Sequence, residues 1–185
     1  SIKPNNTFCI ALYGPINAQS RVIARKYIKT KQYRSLLDVP CGFCTEYFGL
    51  KKDEIEINYT GVDIAPALVD HYKKKGIRVL LASVEKLPLE ADSFELVYSR
   101  NLMEHLPEYK KALNELIRVA QKEVLIIFSH YPGANTDKIE QWNGIYINRY
   151  NKKKLEQFLL NNEKVKTLYW EPINTQECMV HILIK

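Results

Sequence analysis

Two short apolar runs constrain the fold of this chain more than any other feature. The first, Ser35 to Val39, leads into the turn D-V-P-C-G-F-C at 38–44. The second, Asn58 to Ile64, carries Asp63 near its end. A strand, a glycine-containing turn, a helix and a second strand tipped by a carboxylate make up the nucleoside-binding half of an open α/β sheet. The pattern predicts that a ligand approaches the backbone at Gly42 and that Asp63 accepts hydrogen bonds from a ribose diol.

A third segment makes this interpretation more specific. Residues 82–106 read ASVEKLPLEADSFELVYSRNLMEHL. Together with the turn and the second run, the segment resembles the class I S-adenosylmethionine-dependent methyltransferases, in particular the type 11 group of small domains. The corresponding stretch of that group reads D-A-E-x-L-P-F-x-D-x-S-F-D-x-V-x-S-x-x-x-L-E-H. The resemblance runs from about residue 36 to about residue 128, roughly half of the chain. It implies S-adenosylmethionine as cofactor and methyl transfer as activity.

The order of the apolar elements agrees with that resemblance. Five strand and helix units are followed by two alternating segments, 166–170 and 178–184, which predict an antiparallel hairpin. We expect an α/β fold, a Rossmann-like seven-stranded methyltransferase sheet with helices on both faces and an antiparallel C-terminal hairpin. The predicted elements include a short helix at 45–50 that stops near Gly49 and a third strand at 78–84.

The chain of 185 residues is expected to form a single methyltransferase-like domain over residues 1–185. An N-terminal helix at 17–31 precedes a cofactor-binding core at 35–131 and a substrate-side segment with the hairpin at 132–185. The stretch 129–150 is rich in Tyr, His, Asn and Trp, and we expect it to cover the substrate. In the first helix, one apolar face is predicted from the spacing of Val22, Ile23, Tyr27 and Ile28.

Charge and cysteine content limit the cellular compartment and the binding partners that we expect. The net charge is +6, which suits nucleic acid, but the lysine clusters are short and fall on predicted helices, where they solvate a face. No apolar run approaches the roughly 20 residues of a membrane span, and no signal-peptide pattern is present. The scattered cysteines favour a reducing cytoplasm without membrane partners; they are Cys9, Cys41, Cys44 and Cys178.

The turn departs from the glycine pattern of the family it resembles. Pro40 and Cys44 replace two of the three glycines, and only Gly42 remains. Pro40 lacks an N–H and has a fixed φ, and Cys44 adds a side chain where close packing favours none. The pair Cys41-x-x-Cys44 also fits a redox or zinc dithiol, although a zinc site would need two further ligands. The cofactor loop explains the same residues together with their neighbours.

The resemblance implies a role for several single residues. Asp38 would face the methionine ammonium of the cofactor, or else cap the next turn. Ser83 would accept a hydrogen bond from the adenine amino group, and the N–H of Val84 would contact the ring. Arg100 would hold a ligand anion or pair with Glu104 four residues later. The full set of expected cofactor residues is Asp38, Pro40, Cys41, Gly42, Asp63, Ile64, Ser83, Val84, Ser99 and Arg100.

His105 is the candidate general base, because it lies just after the fourth predicted strand. The alternative is a histidine that only packs and forms hydrogen bonds. Some relatives hold a metal with a Glu-x-x-Glu-His cluster and a later histidine, but here Asn101 stands at the first position, and we expect no metal. The predicted function is methyl transfer to a small-molecule acceptor. An RNA-modifying methyltransferase and a non-catalytic binding module remain as alternatives.

Overall fold

A computed structural model describes residues 15–185, so Cys9 lies outside the described part. Seven strands form the main sheet in the order β10-β11-β5-β4-β1-β2-β3. These strands are β1 (Ser35–Asp38), β2 (Asn58–Asp63), β3 (Val79–Leu81), β4 (Phe94–Arg100), β5 (Ala120–Phe128), β10 (Val165–Pro172) and β11 (Cys178–Ile184).

The helices are α1 (Gln19–Lys31), α2 (Thr45–Lys52), α3 (Pro66–Lys73), α4 (Lys110–Val119) and α5 (Lys152–Leu160). A single 3₁₀ turn, Met103–His105, follows β4. The four remaining strands are short and lie outside the main sheet: β6 (Gly133–Lys138), β7 (Gln141–Trp142), β8 (Ile145–Tyr146) and β9 (Arg149–Asn151).

Strand directions confirm the predicted fold class. Strands β3, β2, β1, β4 and β5 pair in parallel, whereas β11 pairs antiparallel with both β5 and β10. Parallel strands need helical crossovers, which α2, α3 and α4 supply, and a hairpin closes the sheet at its edge. The carboxyl ends of β1, β2 and β4 therefore meet at one edge of the sheet, which is where open α/β folds bind ligands.

Both faces of the sheet are covered by helices, as the pattern predicted. Along β4, Leu96 and Tyr98 pack with Ala24 and Ile28 of α1. The intervening Val97 packs in the larger cluster that contains residues of α4 and α5. This alternation follows from the two-residue period of a strand, and it aims Leu96, Tyr98 and Arg100 at α1.

The first helix packs the predicted face against the core only in part, with Ile28 buried and Ile23 and Tyr27 partly buried, and it buries polar residues beside them. Val22, Ile23 and Tyr27 remain partly exposed, and the buried side chains are Ser20, Arg21, Ala24, Arg25 and Ile28. The two arginines are tolerated because acids satisfy them: Arg21 pairs with Glu46 at 2.6 Å and Arg25 pairs with Asp53 at 2.6 Å. Those acids lie on α2 and just after it, too far along the chain for helical periodicity to reveal.

Two further boundaries were wrong in the sequence-based prediction. Helix α2 continues through Gly49 to Lys52. Gly49 leaves room for the guanidinium of Arg25, whose Nη1 would lie 2.6 Å from an added Cβ. Strand β3 has only three residues, since the chain leaves β2 after Leu81 and turns at an isolated bridge between Ser83 and Lys86. Among the helices in residues 15–185, none has the length and apolar character needed to traverse a bilayer.

Candidate cofactor and active site

A cavity of about 270 Å³ lies at the carboxyl ends of β1, β2 and β4. Seven of the residues predicted from the sequence line it: Asp38, Pro40, Cys41, Asp63, Ile64, Arg100 and His105. The other lining residues are Arg21, Tyr98, Asn101, Leu102 and Ile145. Residues that are distant in sequence therefore share one concave site, which is the usual form of a small-molecule site.

Four predicted residues are not part of this lining. Gly42 lies behind it and donates its N–H to Asp63. The Ser83 hydroxyl accepts the N–H of Glu85 at 3.2 Å, and Val84 is buried. Ser99 is fully buried in β4. Their predicted contacts with the cofactor remain predictions.

The turn after β1 keeps a tight geometry despite its missing glycines. Gly42 and Cys44 both adopt left-handed backbone conformations, with φ of 50° and 51°. The N–H of Cys41 donates to the carbonyl of Val62 at 2.8 Å, which ties the turn to β2. Gly61 makes this approach possible, because a Cβ at that position would lie 2.8 Å from the Cys41 sulfur. The glycine of G-V-D-I thus makes room for the turn.

The two cysteines of the turn form a buried pair of free thiols. A hydrogen bond with Cys44 and burial both raise the pKa of the Cys41 thiol, which disfavours the thiolate that a redox or metal site requires. Across residues 15–185, no three His, Cys, Asp or Glu side chains come close enough together to bind a metal ion. These observations favour the cofactor-loop interpretation over the dithiol one.

Asp63, at the end of β2, holds the turn in place. One carboxylate oxygen accepts the Gly42 N–H at 2.8 Å, and the other accepts the Ala65 N–H at 2.9 Å. Each carboxylate oxygen can accept a second hydrogen bond, and Asp63 also lines the cavity. The predicted diol contact is therefore compatible with this bracing role, which the sequence did not reveal.

Asp38 is the most perturbed acid of the cavity. It is 3% exposed and accepts a hydrogen bond from the Tyr59 hydroxyl at 2.7 Å. Burial raises the pKa of Asp38 to about 8, and the nearby Glu46 adds to the rise. A buried acid with a strongly shifted pKa in a cavity is typical of a functional position, and a bound cation would favour its charged form.

Arg100 does not pair with Glu104, which corrects one of the two predicted alternatives. Its guanidinium contacts Glu177 at 3.1 Å and the Ser20 hydroxyl at 3.2 Å. The reason is strand alternation, which directs Arg100 toward α1. Glu104 is 1% exposed and accepts hydrogen bonds from the backbone and hydroxyl of Ser129. It fastens the 3₁₀ turn to the end of β5.

His105 lies in the 3₁₀ turn and lines the cavity. Its Nδ1 is 2.7 Å from the carbonyl oxygen of Tyr146. A carbonyl only accepts hydrogen bonds, so Nδ1 carries a proton, and in the neutral ring this leaves the lone pair on Nε2. The ring itself is exposed.

Several buried polar atoms at the end of β4 have no hydrogen-bond partner within the described chain. They are the Tyr98 hydroxyl, the Ser99 hydroxyl and Oδ1 of Asn101. Asn101 also has a left-handed backbone, with φ of 51°. Tyr98 and Asn101 line the cavity, and buried polar groups without partners are rare. Sequence reasoning missed Tyr98, because a tyrosine in the run F-E-L-V-Y-S is an ordinary strand residue.

The stretch 129–150 forms two small antiparallel ribbons, β6 with β9 and β7 with β8. Ile145 of β8 reaches the cavity wall, and Trp142 beside it is 66% exposed. The Ile147 N–H donates to Glu140 across the β7–β8 ribbon, and Asn148 donates to the backbone of Glu104. The stretch therefore contributes to the wall of the cavity.

Comparison with known proteins identifies the same fold and family. A family model described as a methyltransferase domain matches residues 37–128. An uncharacterized protein of Methanocaldococcus jannaschii is 32% identical over 106 residues, which cover 57% of this chain and 44% of that protein. A malonyl-[acyl-carrier protein] O-methyltransferase of Serratia marcescens is 30% identical over 113 residues, covering 60% and 44%. The chain thus spans less than half the length of these relatives.

Among solved structures, the magnesium protoporphyrin IX methyltransferase from Synechocystis PCC 6803 with bound S-adenosylmethionine superimposes with a TM-score of 0.68. The alignment covers 99% of this chain and 86% of that one at 10% identity, which shows a shared fold. The family match spans the turn, Asp63 and the segment through β5, which carry the sequence resemblance. Through this domain, the chain belongs to the class I S-adenosylmethionine-dependent methyltransferases.

Proposed function

We propose that this chain transfers a methyl group from S-adenosylmethionine to a small-molecule acceptor. The observation that carries the proposal is the convergence of seven predicted residues, from four separate segments, on one cavity. Parallel strand order brings the strand ends to one edge, but it does not by itself require that their side chains line a common cavity. The convergence supports the cofactor assignment at the level of single side chains.

The chemistry of the lining fits the cofactor. The buried carboxylate of Asp38 suits the methionine ammonium, and Asp63 at the next strand end suits the ribose diol. Ile64 is 72% exposed beside them and offers an apolar surface to a base. The Tyr98 hydroxyl, which has no partner in the described chain, supports the view that the wall offers further polar contacts to a ligand. In this arrangement Asp38, Asp63 and Ile64 orient the cofactor.

The cofactor supplies a methyl group already activated by the positive charge on sulfur. The protein therefore contributes alignment and exclusion of water more than chemical activation. Leu102 and Ile145 give the acceptor side of the cavity an apolar wall. His105 would remove a proton at its Nε2 atom from an acceptor that enters protonated.

The cavity favours a small acceptor over a macromolecule. Its acceptor side is bounded by the β7–β8 ribbon through Ile145. The relatives described above act, by their names, on malonyl-[acyl-carrier protein] and on magnesium protoporphyrin IX. Those two acceptors differ in kind, so the relatives support the reaction type and leave the acceptor of this chain open.

An RNA-modifying enzyme is the second candidate, and one surface favours it. A groove of about 380 Å³ beside the ribbons is lined by Tyr131, Lys138 and Arg149, which combine an aromatic ring with two cations. If this groove binds RNA, affinity for single-stranded RNA will fall steeply as salt rises, and Lys138→Ala with Arg149→Ala will weaken it. If the protein does not bind RNA, or if its RNA affinity does not change with salt, the RNA-modifying function is excluded and the small-molecule function stands.

A transfer assay tests the proposal directly. The protein is incubated with S-adenosylmethionine carrying a labelled methyl group and a panel of small acids, phenols and amines, and S-adenosylhomocysteine release is measured. We expect acceptor-dependent release. His105→Ala should lower turnover about 10²- to 10⁴-fold with unchanged cofactor affinity.

The matched control is His130→Ala. His130 follows β5 and contacts the Ser129 hydroxyl at 3.2 Å, but it is not part of the cavity lining. Its replacement should change turnover only a few-fold. Turnover of His105→Ala within a few-fold of wild type, in a protein that melts earlier, would show that His105 only packs.

A further inference from the structure

We infer that Asn148 is a positioning residue for the transfer reaction. It holds the β7–β8 ribbon against the 3₁₀ turn, and so keeps His105 in the orientation and tautomer of a general base. This role rests on the proposed function and deepens it. Nothing in the local sequence I-Y-I-N-R-Y marks Asn148, and its side chain is not part of the cavity lining.

The ribbon supplies the group that orients His105. The Nδ1 atom of the ring lies 2.7 Å from the carbonyl oxygen of Tyr146, in β8. A histidine base works best when a third group fixes its ring and its tautomer. Here that group belongs to the backbone of the ribbon, so the position of the ribbon decides how the ring is held.

The ribbon cannot fix its own position. Strands β7 and β8 have two residues each and form a separate two-stranded sheet. They are joined by Asn143 and Gly144, which have left-handed backbones with φ of 49° and 80°. A two-stranded hairpin of this kind is marginally stable by itself. Its place therefore depends on contacts at its base, where the Ile147 N–H donates to the Glu140 carbonyl at 2.9 Å.

Asn148, directly after that contact, joins the base of the ribbon to the 3₁₀ turn. Its side chain is fully buried. The Oδ1 atom accepts the N–H of Glu140 at 3.2 Å, and Nδ2 donates to the carbonyl of Leu106 at 2.6 Å and to the Tyr150 hydroxyl at 3.1 Å. A backbone donor on one side and a backbone acceptor on the other leave one way to orient the amide.

These contacts reach both neighbours of His105. The backbone N–H of Asn148 donates to the Glu104 carbonyl at 2.9 Å, and its side chain binds the Leu106 carbonyl. Buried polar groups that lose their partners are unfavourable, which favours this arrangement over one in which the ribbon moves away. Asn148 thus fixes the chain on each side of His105, while β8 fixes the ring between them.

Nitrogen NMR of the histidine rings tests this role without an acceptor. The two neutral tautomers give different shifts for Nδ1 and Nε2, and His105→Ala identifies the signals of His105 among the four histidines. At about pH 8.5, where an ordinary histidine is neutral, we expect wild type to carry the proton on Nδ1. In Asn148→Ala, the looser ribbon should give a mixture of the two tautomers.

Turnover measures the consequence for the reaction. With an acceptor found in the transfer assay, Asn148→Ala should lower kcat about 10- to 100-fold, because a displacement of about 1 Å at a reacting group can cost that much. Cofactor affinity, measured by calorimetry, should not change. Tyr150→Phe removes the hydroxyl that donates to the Met103 carbonyl at 2.6 Å and keeps the other bonds of Asn148. It should act in the same direction by a smaller factor, and it replaces Asn148→Ala if that variant does not fold.

The matched control is Asn151→Ala. Asn151 is an asparagine of the same stretch, and its amide donates to the carbonyls of Ala134 and Asn135 at 2.9 Å and 2.8 Å. Its Oδ1 accepts the N–H of Lys154. These bonds tie β9 to β6 and α5 rather than to the 3₁₀ turn. Asn151→Ala should therefore lower the melting temperature while the tautomer of His105 and the turnover stay as in wild type.

The possible failures are distinguishable. If wild type methylates no acceptor, the proposed function fails, and the tautomer alone decides whether Asn148 holds His105. If folded Asn148→Ala and Tyr150→Phe keep the wild-type tautomer, Asn148 does not position the ring. A changed tautomer with unchanged turnover would show that the reaction does not use His105, and an equal effect in Asn151→Ala would assign the loss to stability. Either result would overturn the positioning role.

Discussion

Buried polar groups differ in their hydrogen bonding at the two ends of the sheet. Near the amino-terminal end of β5, the carboxylate of Glu123 accepts hydrogen bonds from Tyr27 and Tyr33 and contacts Nδ1 of His181 at 2.8 Å. At the carboxyl end of β4, the side chains of Tyr98 and Asn101 each bury an atom that has no partner in residues 15–185. The first region is complete without a ligand, and the second is not.

The number of satisfied hydrogen bonds therefore distinguishes the two regions. A structural network has its partners within the protein, whereas a binding site leaves polar atoms for a ligand. Both regions lie beneath α1: Tyr27 extends from its later turns, and Arg21 from its first. The Glu123 network anchors one end of the helix to β5 and β11, while the other end forms part of the cavity wall. Changes in the network should therefore act on stability, and changes in the cavity should act on ligand affinity.

The largest effect is expected from Glu123→Ala. The substitution leaves two tyrosine hydroxyls and a buried imidazole without their acceptor, and breaking such a network typically costs about 3–5 kcal/mol. Urea unfolding should show that loss, while the folded fraction binds S-adenosylmethionine as wild type does. Glu163→Ala, at an exposed position, is the control. A loss below about 1 kcal/mol would contradict the structural role of the network.

The next effect concerns pH and Asp38. Its pKa rises from 3.8 to about 8 on folding, so the folded state holds the proton more tightly. The stability from this group is complete below about pH 4 and is lost as pH rises through about 8. In Asp38→Asn, the free energy of unfolding should change less with pH. Between pH 5 and pH 9, the difference from wild type should be on the order of a few kcal/mol.

Urea unfolding of both proteins at several pH values measures that difference. Glu46, Arg21, Asp63 and Tyr59 also face Asp38, and the comparison with Asp38→Asn cancels their own titration to first order. Parallel pH profiles for the two proteins would show that Asp38 is not perturbed. The same variant should bind S-adenosylmethionine more weakly, because it loses the carboxylate expected to hold the ammonium.

Asp63→Ala should act on both affinity and stability. Loss of the diol contact predicts a roughly 10- to 100-fold weaker complex with S-adenosylmethionine, and loss of an acceptor for two backbone N–H groups predicts about 1–3 kcal/mol of destabilisation. A 2′-deoxy analogue of the cofactor separates the two effects. It should bind wild type more weakly than S-adenosylmethionine, and Asp63→Ala should bind both ligands alike. Undiminished affinity in a folded variant would rule out the diol contact.

The smallest effect is expected from Cys44→Gly. Glycine relieves the left-handed backbone at this position, which is unfavourable for residues with a Cβ, but it removes a fully buried side chain. These effects oppose each other, so stability should change by about 1 kcal/mol or less, and cofactor affinity should be kept or improved. If Cys44→Gly no longer binds S-adenosylmethionine and added zinc does not restore binding, Cys44 makes a direct functional contact.

The sequence predicted those parts of the fold that depend on local pattern. Apolar runs located β1, β2, β4 and β5, and alternation located the hairpin, because burial on a sheet leaves a period that a short window detects. The carboxyl ends of β1 and β2 could be assigned to a site because parallel strands bring their ends to one edge. Asp38 and Asp63 therefore lay where the pattern predicted them.

What the sequence did not reveal depends on partners that are distant along the chain. The buried face of α1 includes Arg21 and Arg25 beside its apolar residues, and because their acids lie on or after α2, the apolar spacing revealed only part of that face. Arg100 pairs with Glu177, 77 residues later, rather than with its neighbour Glu104. Tyr98 has nothing in its local sequence to mark it, and only its place in the cavity wall and its missing hydrogen bond distinguish it.

Titration of the folded wild-type protein with S-adenosylmethionine, by calorimetry at pH 7 and pH 9, tests the central claim most directly. The account predicts saturable binding of one cofactor per chain and a rise in melting temperature with cofactor concentration. It also predicts proton release at pH 7 as Asp38 ionises against the ammonium. Absence of saturable binding by a folded protein would contradict the claim that the atoms left unpartnered at the end of β4 are completed by this cofactor.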